Sequence, residues 1–186
     1  MTMSHMTHAL IDYWHRLPTD SPAARRQHLA LTCDEVRAGY LPAQALVPFA
    51  LGDVDDEIVR RATLGYIEAG MELDADDPRL CAEDACEWVR RDLALNRGAV
   101  FVALLETGEA TVLQRLASQR LVLSFEAVAT VCRLLPERPG RATSRFLAEW
   151  LELLEGTGDL ALRRQRDLIS AAFEARSPDV ATRAAA

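Results

Sequence analysis

The stretch Ala99-Val100-Phe101-Val102-Ala103-Leu104-Leu105 is the part of the sequence on which the fold class depends. It is uniformly apolar and contains β-branched residues, so periodicity alone does not distinguish a buried strand from a buried helix. Elsewhere, apolar residues recur at helical spacing, and strand-like alternation is almost absent. Because its neighbours have helical character, we interpret the stretch as a buried helix and predict an all-α protein.

Gly, Pro and capping residues divide the chain on both sides of this stretch into about ten predicted helices. Ser21-Pro22 provides a cap followed by Pro at the first helical position, and Ser124 is a second cap. Gly70 is the predicted stop of the fourth helix, before an acidic loop that starts at Glu72. The predicted helices cover residues 5–17, 21–39, 42–51, 55–68, 78–96, 99–105, 110–119, 124–135, 141–154 and 160–175. Short turns between them predict stacked antiparallel hairpins in one helical-repeat domain, residues 1–176, and a flexible tail, residues 177–186.

Residues 45–62 carry a more specific pattern, ALVPFALGDVDDEIVRRA. A first helix ends in Leu51, a tight turn contains Asp53, and a second helix opens with acidic residues followed by Val59-Arg60 and an alanine. This pattern resembles a HEAT-like repeat, although its turn is one residue longer than usual and the resemblance covers only about residues 45–70. The resemblance implies a HEAT-like α-solenoid or a right-handed helical array, which presents an extended surface to a partner, and it implies no catalysis.

The same pattern has a structural interpretation. Asp53 or Asp55 is placed to accept hydrogen bonds from the free backbone N–H groups at the start of the second helix. Arg60 and Arg61 are expected to reach neighbouring carboxylates, while the aliphatic residues after the turn face the core.

Composition excludes several chemistries. All 21 basic residues are Arg, so there is no lysine for a Schiff base, a phosphate-binding loop or a general base. We find no Gly-rich phosphate loop, nucleophile elbow or paired-cysteine zinc signature. We therefore predict a non-catalytic protein without a cofactor. The cysteines are predicted to be small buried hydrophobic residues, and the tryptophans are predicted to pack in the core. These residues are Cys33, Cys81, Cys86, Cys132, Trp14, Trp88 and Trp150.

Two further observations concern the N-terminal region and location. His5, His8, Asp12 and His15 would share one helical stripe, which leaves open a surface metal site beside the simpler interpretation of a polar helix face. The N-terminus lacks the pattern of a signal peptide, and no apolar stretch approaches the ~20 residues of a bilayer span. We therefore expect a cytoplasmic protein with no membrane association.

Charge is unevenly distributed along the chain, whose net charge is −7. Residues 53–87 contain twelve acidic residues and three Arg, a net charge of −9, whereas residues 88–148 carry a net charge of +4. Turns of successive hairpins line one edge of a solenoid, so an acidic edge would attract a basic protein partner. The predicted partner-binding residues are Asp53, Asp55, Asp56, Glu57, Glu72, Asp74, Asp76 and Asp77.

Our main functional hypothesis is a protein–protein interaction module, acting as an inhibitor, an immunity-type protein or an adaptor. A nucleic-acid-binding HEAT-like protein is an alternative, in which phosphate contacts would come from the Arg-rich residues Arg90, Arg91, Arg97, Arg115 and Arg120, although the overall charge disfavours it. A helical ligand-binding or enzymatic domain with a pocket between hairpins, near Trp88 or Trp150, is the other alternative.

Overall fold

The structure is a computed structural model that describes residues 21–73, 78–117, 119, 121, 123–135, 141–155 and 159–175. Nine α-helices and one 3₁₀ helix account for most of these residues, and no strand occurs among them. The helices are α1 (Pro22–Arg37), the 3₁₀ helix (Ala43–Leu46), α2 (Val47–Gly52), α3 (Asp56–Leu73), α4 (Pro78–Ala94), α5 (Ala99–Thr107), α6 (Ala110–Ala117), α7 (Phe125–Leu134), α8 (Arg141–Glu155) and α9 (Leu160–Glu174).

The apolar stretch that decides the fold class forms the central helix, α5. The prediction of a buried helix is confirmed, because every residue from Ala99 to Leu105 has no exposed surface. Helices α3, α4, α6 and α7 all contact α5, so the part of it from Ala99 to Leu105 has no solvent-facing side. This surrounding explains why α5 lacks the polar stripe that identifies most helices. The helix ends at Gly108, whose φ of 63° lies in the left-handed region that favours glycine.

The remaining helices contact each other in an alternating order. Helix α1 contacts α3, α3 contacts α5, α5 contacts α7, and α7 contacts α9. Similarly, α4 contacts α6, and α6 contacts α8. Chain neighbours also pack together, as in the pairs α2–α3, α3–α4, α4–α5 and α8–α9. The apolar core therefore runs along the row of odd-numbered helices and their even-numbered neighbours.

Several predicted helix ends are confirmed and two are wrong. The side chains of Ser21 and Ser124 cap α1 and α7 as predicted. Helix α3, however, continues through Gly70 to Leu73, so Glu72 lies in its last turn and not in a loop. Gly70 is buried, and tertiary packing outweighs its low helix propensity. The predicted helix over 42–51 divides into the 3₁₀ helix and α2, because Pro48 favours a new helix start.

Other predictions fall on different parts of the chain. The predicted core roles of Trp88 and Trp150 are confirmed, since both are buried and their rings contact Tyr66 and Phe101 at centroid distances of 4.5 and 5.2 Å. None of the helices in the described ranges combines the length and hydropathy needed to cross a membrane. The predicted helix over 5–17 with its histidine stripe, Trp14, the acidic residues Asp74, Asp76 and Asp77, and the tail 177–186 lie outside the described residues.

Candidate functional site

The first half of the predicted acidic edge is the turn before α3, residues 53–57, here called the acidic turn. Its aspartates cap the helix as the sequence predicts. The backbone N–H of Asp55 donates to Asp53 Oδ1 at 2.8 Å, and that of Glu57 donates to Asp55 Oδ1 at 3.0 Å. Asp56 and Glu57 occupy the first turn of α3, where negative charge is favoured by the helix dipole. These carboxylates therefore have a local folding role.

Arginines from α1 bind the two capping aspartates. Arg25 Nε lies 3.0 Å from Asp53 Oδ2, and Arg26 Nη2 lies 2.6 Å from Asp55 Oδ2. Burial acts to raise the pKa of Asp55, but the hydrogen bonds from Arg26 and from the Glu57 N–H outweigh it and hold that pKa below its usual value. The acidic turn is thus joined to α1 by two ion pairs.

Asp56 is shared by arginines from two later parts of the chain. Its Oδ2 lies 2.6 Å from Arg133 Nη2 on α7, and its Oδ1 lies 3.4 Å from Arg97 Nε in the α4–α5 turn. Arg97 also donates through Nη1 to the backbone carbonyl of Asp53 at 2.9 Å. The two turns and α7 are therefore connected by polar contacts across 41 and 77 residues of sequence.

Glu57 and Arg60 complete the pairing on α3 itself. Arg60 binds both carboxylate oxygens of Glu57, at 2.8 and 2.9 Å, and reaches Glu106 at the end of α5 with its third nitrogen. Arg61 also donates to Glu57 at 2.7 Å. The hydrogen bond from Arg60 lowers the pKa of Glu57, and the same bond raises the pKa of Arg60. The expectation that Arg60 and Arg61 reach carboxylates is confirmed.

All four acidic side chains of the acidic turn are consequently in ion pairs with arginine. Their side chains are 7% exposed for Asp53, 17% for Asp55, 22% for Asp56 and 29% for Glu57. Much of the negative charge that the sequence places here is balanced within the molecule. A partner would have to compete with existing arginines for these carboxylates.

The second half of the acidic block behaves differently. Residues 68–87, here called the acidic segment, contain eight acidic residues and one Arg, a net charge of −7. In its described part, Glu68, Glu83, Asp84 and Glu87 are exposed. Glu83 has one loose contact with Arg115 at 3.7 Å between two exposed side chains, and Asp84 accepts a hydrogen bond from the Tyr66 hydroxyl at 3.1 Å. Within the described residues, no ion pair involves Glu68 or Glu87. Glu72 lies on α3 between these residues, in the last turn of that helix.

Asp92 is a buried polar residue that the sequence does not single out. It is 6% exposed, and its Oδ2 accepts a hydrogen bond from the Val100 N–H at 3.0 Å. Burial raises the pKa of this carboxyl above its usual value, despite Arg97 at 3.5 Å. Asp92 acts as the N-terminal cap of α5, because the residue at the capping position is Gly98, which has no side chain. The signal in the sequence was the start of α5 itself, because Gly98 at the capping position has no side chain and the cap must come from elsewhere.

The protein has two surface grooves, one between two even-numbered helices and one between two odd-numbered helices. One, between α6 and α8, has a volume of about 800 Å³ and is lined mostly by small and apolar side chains, with Phe146 at its floor. The other, between α1 and α3, has a volume of about 430 Å³ and combines apolar residues with charged rims. In the described parts of the chain, no cluster of three or more His, Cys, Asp or Glu residues is arranged to hold a metal ion.

Comparison with known proteins places no constraint on this chain: no protein-family model, curated protein or solved structure matches it.

Proposed function

We propose that this protein is a HEAT-like helical array that serves as a non-catalytic protein–protein interaction module. The alternating contacts support the array, because odd-numbered helices pack on odd-numbered ones and α4, α6 and α8 pack in a second series. That order is typical of α-solenoids, in which each hairpin contacts mainly its neighbours. A solenoid exposes long surfaces relative to its core, which suits the binding of another protein.

The partner of this module is a basic protein, and the observation that carries this proposal is the unbalanced acidic segment. The acidic turn is matched by arginines, so Asp53, Asp55, Asp56 and Glu57 contribute mainly to folding. We assign contact with the partner to the acidic segment, which includes Glu72, Asp74, Asp76 and Asp77. In the sequence, these four residues lie between the exposed members of the segment that the structure describes. Exposed carboxylates of one sign speed the encounter with a positively charged partner and orient it.

Such a module would act by covering a basic surface, as an inhibitor, an immunity-type protein or an adaptor does. Its test is affinity capture from the native host at two salt concentrations, with the purified protein as bait. A triple reversal, Glu83→Arg with Asp84→Arg and Glu87→Arg, should lose the captured basic protein, and raised salt should weaken capture of the wild type because exposed charges are screened. Unchanged capture by the triple variant would remove the proposal.

Two control variants separate binding from folding. Reversal of Glu152 and Glu174, which are exposed acids outside the acidic segment, should leave capture unchanged. Reversal of Asp55 and Asp56 should lower the denaturation midpoint, because both carboxylates bind arginines within the molecule. Circular dichroism of each variant before capture shows which losses come from unfolding.

The α6–α8 groove supports a second candidate, a ligand-binding helical domain. Its volume of about 800 Å³ lies within the usual range of small-molecule sites. Phe146 in the groove stacks near Trp150 with ring centroids 6.5 Å apart, so occupancy should change tryptophan fluorescence. Titration with an apolar anion such as anilinonaphthalene sulfonate tests this, since Arg141 and Arg145 lie on the rim. No change in the Trp150 emission, isolated with Trp14→Phe and Trp88→Phe, would argue against the candidate.

A further inference from the structure

The α1–α3 groove lies between two helices that run side by side in the same direction. At its start, Arg26 on α1 contacts the acidic turn just before α3. Halfway along, a Cβ added to Gly65 on α3 would lie 3.5 Å from the Sγ atom of Cys33 on α1. At its far end, Arg37 and Glu68 line the same recess. Each level of the groove therefore brings one part of α1 beside one part of α3.

The charged residues of the groove follow opposite orders on the two helices. From start to end they are positive, negative and positive on α1, and negative, positive and negative on α3. They are Arg26, Asp34 and Arg37 on α1, and Glu57, Arg61 and Glu68 on α3. The groove therefore carries no net charge, although the chain as a whole carries −7. A surface with this alternation favours neither a basic nor an acidic partner, and it is complementary to itself.

The ion pairs within the molecule leave several of these side chains accessible. Arg37 binds Asp34 at 3.1 Å, but the two side chains are 71% and 72% exposed, so their pair contributes little to stability. Arg61 binds Glu57 and is nevertheless 64% exposed. Glu68 is exposed and has no ion pair among the described residues. A second molecule can therefore bind these side chains without breaking a buried ion pair.

The floor of the groove is apolar and contains small residues. Leu29 is buried at its base, and Leu64 is half-buried beside it. Ala30, Cys33 and Gly65 have little or no side chain to fill the space above them, so another surface can approach closely. An apolar centre with a charged rim is the usual organisation of a protein interface.

From the order of these charges we propose that the α1–α3 groove is the interface of a symmetric homodimer. A twofold axis along the groove places α1 of one copy over α3 of the other, in the same direction and at the same level. Arg37 then faces Glu68 of the second copy, and Arg61 lies one helical turn from Asp34 of the second copy. Because the same surface is used on both molecules, each of these pairs forms twice.

The charge order also selects this dimer over the alternative twofold arrangement. An axis across the groove would place α1 over α1 of the second copy, with the two helices running in opposite directions. Arg26 would then face Arg37 of the second copy, and Glu57 would face Glu68 of the second copy. Like charges would meet at both ends of the groove, and such contacts disfavour an arrangement.

This inference goes beyond the proposed function and does not depend on it. Glu83, Asp84 and Glu87 do not line the groove, so the acidic segments of both copies keep these exposed carboxylates. A dimer would offer two such segments to a basic partner, which strengthens binding where the partner reaches both. The lining of α1 from Arg26 to Arg37 corresponds to about 16 Å of helix. An interface of this length is small, so we expect a Kd in the micromolar range.

Exchange of charges between two variants tests which residues face each other. Sedimentation velocity from about 1 to 200 µM should show a reversible dimer of the wild type. Arg37→Glu alone and Glu68→Arg alone should each raise the dimer Kd at least about tenfold, because two ion pairs become two like-charge contacts. An equimolar mixture of the two variants should dimerise about as tightly as the wild type. In that mixed dimer the two altered side chains face each other, and the unaltered Arg37 and Glu68 also pair.

Matched controls separate these contacts from the effect of total charge. Arg163→Glu and Glu152→Arg make the same changes in net charge at exposed positions outside the groove, and they should leave the Kd unchanged, alone or mixed. Circular dichroism verifies that each variant is folded.

Three outcomes would overturn the inference. A wild type that stays monomeric over the whole concentration range would remove the dimer. A dimer that neither reversal weakens would lie elsewhere on the surface. Weakening by both reversals without recovery in the mixture would show that Arg37 does not face Glu68 of the second copy. None of these results bears on capture of a basic protein through Glu83, Asp84 and Glu87, so the proposed function is decided separately.

Discussion

Replacement of Asp92 tests whether a buried carboxylate from α4 holds the start of the central helix. In Asp92→Ala, the N–H of Val100 loses its acceptor, which lies 3.0 Å away, inside a site that is 6% exposed. Loss of a helix cap costs about 0.5–2 kcal/mol, and leaving a buried donor unpaired costs about 1–3 kcal/mol. These ranges describe overlapping effects, so we expect a loss of about 2–3 kcal/mol in the free energy of unfolding. For a domain of this size, that corresponds to a fall of about 5–10 °C in Tm.

Asp92→Asn separates the hydrogen bond from the charge, because the amide oxygen still accepts from Val100. We expect a change of less than about 1 kcal/mol at neutral pH. Since burial raises the pKa of Asp92 in the folded protein, ionisation of this group costs stability as pH rises from the usual Asp value to the raised native value. The stability of Asp92→Asn relative to the wild type should therefore increase across that range and stay constant above it.

Urea denaturation followed by circular dichroism at several pH values measures both effects. The reasoning would be refuted if Asp92→Ala unfolded at the wild-type midpoint. It would also be refuted if Asp92→Asn were as destabilised as Asp92→Ala, because the charge rather than the accepted hydrogen bond would then dominate.

Three further predictions concern packing, arginine geometry and acid stability. Gly98→Ala should lower the free energy of unfolding by about 1–3 kcal/mol, because a Cβ there would lie 2.8 Å from a backbone carbonyl oxygen of α7. In the control Gly52→Ala, no atom lies within 4 Å of the added Cβ, so the urea midpoint should change little. Arg60→Lys should lower the free energy of unfolding by about 1–2 kcal/mol, because an ammonium group cannot bind one carboxylate with two nitrogens and reach a second. The control Arg145→Lys, at an exposed ion pair, should hardly change thermal unfolding. Equal effects of the two substitutions would contradict the bidentate role of Arg60. Asp55→Asn should be less stable than the wild type at neutral pH by up to about 1 kcal/mol. This difference should shrink as pH falls through the lowered pKa of Asp55 in the folded protein. A difference that stays constant with pH in denaturation experiments would exclude a contribution from the ionisation of Asp55.

The helical nature of α5 was predictable from its neighbours and not from its own residues. An apolar run shows a period only when one side of it faces water, and α5 is enclosed by α3, α4, α6 and α7, with side chains of α8 also packed against it. The capping serines, Ser21 and Ser124, were predictable because a cap depends on only a few adjacent residues. The continuation of α3 through Gly70 was not, because burial of that position is decided by the packing of distant segments.

The distribution of charge over the surface was only partly predictable. Summing charges along the sequence identifies an acidic block but does not show which carboxylates already have partners. Asp56 is paired with Arg133, 77 residues away, and such a pair is invisible until the turns come together. Glu68 and Glu57 are therefore alike in the sequence and different in the structure, where one is exposed and the other is held by two arginines.

The absence of lysine has a consequence for where a partner gains most from binding. Each guanidinium carries several donors in a fixed plane, so Arg60 binds two carboxylates, and Arg97 binds a backbone carbonyl together with Asp56. Arginine used in this way balances the acidic turn and ties it to neighbouring helices. The acidic segment has one arginine for eight acids, and its net charge of −7 equals that of the whole chain. Among the described members of the acidic segment, Glu68 and Glu87 have no ion pair and Glu83 has only its loose contact with Arg115. A basic partner of the kind proposed would therefore displace less internal pairing at these carboxylates than at the acidic turn.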